Sequence, residues 1–165
     1  MPADRAIVAD TGPLLGLSRI GRLRLLLDSC SEVLVAPAVV EECCRYRRLP
    51  GAVTIEKAVE RGDLRCHDLE DIEPVPAAPN LGPGEVESIS LAASLGLPLL
   101  IDDRLARRFA HSLGLEVVGT GAILVRALEQ QRIDRLRPVL EELKAVGYRL
   151  GPKLAGELLR RAGER

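Results

Sequence analysis

Short apolar runs alternate along this chain with longer stretches in which apolar residues recur every three or four positions, and proline, glycine or an acid stands at most boundaries. Ala6 to Asp10 reads as a buried strand, with Asp10 at its carboxyl end and Thr11-Gly12-Pro13 turning into a helix that has proline in its first turn. Leu14, Leu15, Leu17, Ile20, Leu23, Leu26 and Leu27 keep helical spacing toward a core, and Gly21 divides them into two short helices. Glu32 to Ala36 reads as a second buried strand. Pro37 opens an amphipathic helix to about Arg47, with Val39, Val40 and Cys43 facing inward and Glu41 and Glu42 in its first turns.

Beyond Pro50-Gly51 the pattern predicts a weaker helix over roughly Val53 to Arg61, stopped by Gly62, and a strand over Leu64 to Leu69. Glu73 to Gly84 holds four prolines and two glycines, which predicts an irregular loop delivering Glu85 to the first turn of a helix. That helix has Val86, Ile89, Ala92 and Ala93 on one side and ends at Gly96. Leu97 to Ile101 reads as a strand ended by Asp102 and Asp103. A helix carrying Leu105, Phe109 and Leu113 follows, then a strand over Leu115 to Val118, and a helix from Gly119 to about Gln130. Two more helices are expected over Asp134 to Val146 and Pro152 to Ala162. Strands alternating with helices predict a parallel sheet with helices on both faces, and the site of such a sheet lies at the carboxyl ends of its strands.

With 165 residues, 47% hydrophobic and 28% charged, the chain suits one folded domain and falls outside the disordered and disulfide-scaffold classes. The 23 basic residues against 24 acidic exclude a globally basic nucleic-acid binder, so contact with nucleic acid has to use a local patch. Of the 23 basic residues only Lys57, Lys144 and Lys153 are lysine; the rest are arginine, the better bidentate partner for phosphate. Tyr46, Phe109 and Tyr148 are the whole aromatic content, which excludes a sheet paved for base stacking. Cys30, Cys43, Cys44 and Cys66 make no disulfide framework, no signal peptide is visible, and no apolar run spans a bilayer; a reducing cytoplasm is the expected setting and no membrane contact is expected.

Four acidic stations then share one sheet edge: Asp10, Glu41 or Glu42, Glu85, and the pair Asp102 and Asp103. Unpaired carboxylates repel one another by roughly 1 kcal/mol per pair at 4 Å in water, and by more when partly buried. A cation among them relieves this, and oxygen ligands without histidine suit a hard ion such as Mg²⁺ or Mn²⁺. Such an ion supports phosphodiester hydrolysis. Taken singly, each glutamate is better explained as a first-turn residue favoured by the helix dipole. Cys66-His67 lacks a second ligand pair for zinc, and Asp10 to Gly16 fits neither glycine-rich nucleotide motif.

The ordered set resembles the PIN-domain family, which includes the VapC-type toxin ribonucleases, over about Ile7 to Val125. Ile7 to Leu14 is similar to the family's opening strand and first acid, and Ala36 to Glu42 to its Pro-x-Val-x-x-Glu segment, with Glu42 the better match and Glu41 the fallback. Gly84 to Ala93 is similar to a subfamily's Gly-Glu-x-Glu helix, with Glu85 where many members carry aspartate and Glu87 a neighbour. Leu99 to Arg104 resembles the closing strand and acid, with Asp103 in the usual place and Asp102 in addition. The resemblance implies a three-layer α/β/α fold with a central parallel sheet, and a Mg²⁺- or Mn²⁺-dependent endoribonuclease. Asp10, Glu42, Glu85 and Asp103 would be its catalytic and metal-binding acids and Asp102 an auxiliary ligand.

Thr11, after the first acid, is expected to position water or a ligand through its hydroxyl. Arg104, Arg107 and Arg108, with Arg45, Arg47 and Arg48, are expected to meet the RNA backbone. The expected partners are RNA, an antitoxin protein if the chain is the toxin of a toxin–antitoxin pair, and a second copy of the chain. Residues 1–130 would form the nuclease domain. Residues 131–165 would be a helical C-terminal extension packed on it, with Leu136, Leu140, Leu143, Leu154, Leu158 and Leu159 as its packing surface. A non-catalytic PIN-fold module binding nucleic acid or protein is the alternative. A dehalogenase-like phosphatase is disfavoured because Asp10-Thr-Gly12 lacks that chemistry's second aspartate.

Overall fold

The structure, a computed structural model, describes residues 5–45, 47–76 and 78–164. Its strands are β1 (Ala6–Ala9), β2 (Glu32–Val35), β3 (Arg65–Cys66), β4 (Leu99–Leu100) and β5 (Val117–Val118). All pair in parallel in one sheet, in the order β3-β2-β1-β4-β5. Around it lie α1 (Thr11–Arg19), α2 (Arg24–Leu27), α3 (Pro37–Cys44), α4 (Ala52–Arg61), α5 (Pro83–Leu95), α6 (Arg104–Ser112), α7 (Thr120–Glu129), α8 (Leu136–Ala145) and α9 (Pro152–Arg161). The expected α/β class and parallel sheet are those observed.

The chain leaves β1, builds β2 and β3 to one side, then returns to lay β4 and β5 on the other. Neighbouring strands therefore leave β1 in opposite directions, and a crevice opens at the carboxyl ends of β1 and β4, where open α/β sheets hold their ligands. Ala9 lies opposite Leu100, and the Asp10 N–H donates to the Leu100 carbonyl at 2.9 Å, so the first acid is fixed on the last rung of the ladder. The inner strands are buried on both faces, which is why they read as unbroken apolar runs.

Several strands are shorter than the apolar runs that announce them. In Leu97 to Ile101, Pro98 accepts from Val8 at 3.0 Å but has no N–H to return, and the paired core reduces to Leu99–Leu100. β3 is an exposed edge of two residues rather than the six from Leu64 to Leu69. Gly62 and Gly96 end α4 and α5 in the left-handed conformation at φ 78° and 64°, the geometry a side chain resists. α8 starts at Leu136 rather than Asp134 because Arg135 is extended, and the Glu164 carboxylate receives the N–H groups of Leu136 and Arg137 at 2.5 and 3.0 Å.

Two expected helix faces need correction. Ala93 is exposed, and α5 instead buries Gly84 and a continuous run from Ser88 to Ala92, because it lies across the sheet and against α3. On α6, Leu105 and Leu113 are 49% and 39% exposed. Its buried face is Ala106 and Ala110, small residues suited to close packing beside β5.

The last two helices cover the chain's own core. Leu136, Leu143 and Leu158 are buried, while Leu154 is 42% exposed. Leu158 packs so closely on α7 that a Cβ at Gly121 would lie 2.8 Å from its Cδ1. Arg22 clamps α8 through a two-pronged ion pair to Glu142 at 2.7 and 2.9 Å. Leu158→Ala is therefore expected to lower the unfolding free energy by about 2–4 kcal/mol in urea melts. The transition should stay single, since α9 shares its core with α7; an early separate step would contradict this packing.

Candidate active site

Asp10 is the N-cap residue of α1, extended at φ −86° and ψ 166°, and its carboxylate is buried, with 5% of the residue exposed. It closes no cap hydrogen bond of its own. The Thr11 and Gly12 N–H groups favour its charge nonetheless, and Ser88 Oγ stands 3.5 Å away, a long contact. Glu42, from the second turn of α3, is held from two sides: Thr11 Oγ1 donates to Oε2 at 2.5 Å and the Gly84 N–H to Oε1 at 2.9 Å. Glu85 folds back onto the start of its own helix, accepting the Gly82 N–H at 2.7 Å. Glu87 reaches across to the Ala38 N–H at 2.7 Å and so caps α3, the helix that carries Glu42.

Asp103 caps α6, Oδ1 accepting the Ala106 N–H at 2.8 Å. Asp102 is engaged differently. Its Oδ1 receives the Thr120 N–H at 3.0 Å, and its Oδ2 receives the Thr120 hydroxyl at 2.5 Å and the Tyr148 hydroxyl.

Asp10, Glu42, Glu85, Asp102 and Asp103 all line one open cavity of about 530 Å³, with Thr11 and Arg104. Glu41 stays outside, in an exposed pair with Arg45 at 3.6 Å. Arg107 and Arg108 do not line the cavity; Arg107 turns back to donate to the Ile101 carbonyl at 2.7 Å. Arg47 is taken by Glu56 at 2.5 Å. The Thr11 hydroxyl, which lines the cavity, donates to Glu42.

Two lining residues, Tyr148 and Arg149, were not anticipated. They sit between two predicted helices, where helical periodicity carries no information. The one available signal was a rare aromatic beside an arginine after Gly147.

Burial is the main force on Asp10 and Glu85. It raises the Asp10 carboxyl to about 7, helped by the charges of Glu85 and Glu42 and opposed by the backbone N–H groups. Glu85 is also raised, first by burial and then by Asp103 and Glu42, against the Gly82 N–H. An all-oxygen donor set with a buried, mutually repelling core fits a hard divalent cation and no softer one. Among the described residues no three or more acid, histidine or cysteine side chains stand together as a group that could by itself hold a metal ion.

Two consequences are measurable. Because the folded Asp10 holds its proton to about 7 against 3.8 for the free side chain, the folded state binds more protons between those values, and stability falls as pH rises through that window. The cost is complete above pH 7 and is at most about 4 kcal/mol. Without divalent ions, Asp10→Asn should therefore melt a few degrees above the parent at pH 8 but not at pH 4, and excess Mn²⁺ should reverse the order. Equal melting differences at both pH values would contradict the assignment. At Gly84 an added Cβ would lie 2.5 Å from Glu42 Oε2. Gly84→Ala should thus displace Glu42, costing about 1–3 kcal/mol and weakening Mn²⁺ binding by calorimetry, with the rest of the fold intact by circular dichroism.

No curated protein sequence matches the chain. Among solved structures it is similar to a PilT N-terminus domain protein of the hyperthermophilic archaeon Sulfolobus solfataricus, with 20% identity and a TM-score of 0.58, over 75% of this chain and 94% of that one. That likeness supports the fold. The family model described as PIN domain matches residues 6–164, a span that includes the two C-terminal helices as well as every acid in the cavity. On that match the chain belongs to the PIN-domain family.

Proposed function

We propose that this protein is a divalent-metal-dependent endoribonuclease with its centre at Asp10, Glu42, Glu85 and Asp103. The observation that carries the proposal is the buried Asp10 carboxylate at the strand-order reversal, lining one cavity with four other acids, among them Glu42, Glu85 and Asp103 on separate elements. Family membership supports it, since PIN domains are generally nucleases. Asp10 would be the main ligand of a Mg²⁺ or Mn²⁺ ion, with Glu42, Glu85 and Asp103 holding it directly or through its waters. Such an ion, when bound, supplies charge neutralisation at the phosphoryl group and an activated water for in-line displacement.

The chain's own residues do the positioning. Thr11 and the Gly84 N–H hold the Glu42 carboxylate by both oxygens, the Gly82 N–H orients Glu85, and the α6 terminus orients Asp103. Arg104 at the cavity supplies a cation for the substrate's phosphates. The resemblance extends the proposal to RNA in the cytoplasm, with an antitoxin protein and a second copy of the chain as partners.

The test is cleavage of labelled single-stranded and structured RNAs by the purified protein in Mn²⁺, Mg²⁺ or EDTA, beside Asp10→Asn and Asp103→Asn variants checked for folding. Cleavage is expected only with metal, and it should fall by about 100-fold or more in each variant. A folded protein that neither cleaves nor binds Mn²⁺ by calorimetry would instead be the non-catalytic binding module.

A further inference from the structure

The link between α8 and α9 brings Tyr148 and Arg149 to a cavity whose acids all lie at least 45 positions earlier in the chain. Tyr148 is fixed from two directions. Its hydroxyl donates to Asp102 Oδ2 and lies 3.2 Å from Thr120 Oγ1, which itself donates to the same carboxylate. Its ring rests on α1 so closely that a Cβ at Gly16 would lie 2.8 to 3.0 Å from the ring carbons. Asp102 is thus a knot joining the end of β4, the start of α7 and the α8–α9 link, and both of its oxygens are occupied by that task.

Fixing Tyr148 fixes the backbone of its neighbour. Arg149 is exposed and lines both the carboxylate cavity and a second groove of about 820 Å³, between the β5–α7 segment and α9. Asp102 and Arg149 are the two residues shared by both, so Arg149 stands at the passage from one to the other. Arg107, Arg126 and Arg161 lie further along the groove, as do Glu116 and Glu129. A polyanionic strand approaching a wall of carboxylates meets repulsion unless a cation stands at the entrance, and a guanidinium is the side chain best shaped to take a phosphate.

We propose that Arg149 binds a phosphate of the substrate strand where the carboxylate cavity opens into the second groove, and that Tyr148, latched to Asp102 and seated on Gly16, is the positioning residue that holds it there. This inference rests on the nuclease function proposed above.

Steady-state cleavage of a single-stranded RNA at saturating Mn²⁺ tests it, over a series of salt concentrations, with Mn²⁺ calorimetry on every variant. Arg149→Ala should raise KM about tenfold with kcat within about twofold, flatten the log–log salt dependence by about 0.7, and leave Mn²⁺ affinity unchanged; Arg149→Lys should recover part of the KM. Tyr148→Phe should raise KM in the same direction by about threefold or more, yet add nothing in the Arg149→Ala background, since it acts through that residue. Gly16→Ala, which displaces the ring while keeping the hydroxyl, should show the same KM defect and is the second route if Tyr148→Phe folds poorly. Parental KM and salt slope in Arg149→Ala would overturn the phosphate contact. A Tyr148→Phe effect that persists in full on that background, or that falls on kcat or Mn²⁺ affinity, would overturn the positioning role. A parent protein that cleaves no RNA at all would overturn the nuclease function and this inference with it, whereas parental cleavage with an indifferent Arg149 would overturn this inference alone.

Discussion

The carboxylate of Asp10, taken out of water at the end of β1, is the constraint around which this structure is arranged. Burying an acid beside Glu42 and Glu85 runs against both desolvation and charge repulsion, and the two together lift its carboxyl to about 7. The backbone offsets part of this through the Thr11 and Gly12 N–H groups. Among the described residues no ion pair reaches Asp10, and the two arginines at the cavity, Arg104 and Arg149, are exposed. A cation bound there, as proposed, would offset this cost, and its binding would then be coupled to the stability of the sheet edge itself.

The surrounding elements are tied to one another through the same acids. Glu42 joins α1, through Thr11, to the first turn of α5, through the Gly84 N–H. Glu87 on α5 returns the tie by capping α3 at Ala38. Two helices from distant parts of the chain are thus braced reciprocally across the cavity, and a glycine at position 84 is required by the 2.5 Å approach of a carboxylate rather than by its own dihedral angles. The Gly-Glu-x-Glu pattern acquires a division of labour: Gly84 makes room and donates, Glu85 lines the cavity, and Glu87 holds the neighbouring helix in place.

What was legible in the sequence followed from local periodicity and from topology. Apolar runs ended by acids placed Asp10, Asp102 and Asp103 at strand ends, and parallel pairing then set those ends side by side. The boundaries slipped where pairing depends on a partner strand, as at Pro98 and in the exposed β3, because a ladder is not a property of one segment. Helix faces slipped for a related reason. Leu105 and Leu113 look like core residues by composition, yet a helix that must sit close to β5 buries its alanines instead. The α8–α9 link was illegible because nothing local marks a tyrosine for an aspartate 46 positions away.

The contrast between Asp102 and Asp103 shows how adjacent and chemically identical side chains are separated by hydrogen bonding alone. Asp103 commits Oδ1 to the α6 terminus and lines the cavity. Asp102 receives the Thr120 N–H and hydroxyl and the Tyr148 hydroxyl, three donors that satisfy its charge without any cation. An acid so satisfied gains little from a cation and loses much by leaving its partners, so under the proposed function Asp103 would be the ligand and Asp102 the latch. That division also ties the C-terminal helices to the cavity. Leu158 and the Arg22–Glu142 clamp dock them on the core, and the Tyr148–Asp102 contact carries that docking to within reach of the cavity. Stability in the last two helices is therefore transmitted to the site by a covalent neighbour, from Tyr148 to Arg149, rather than through the acids themselves.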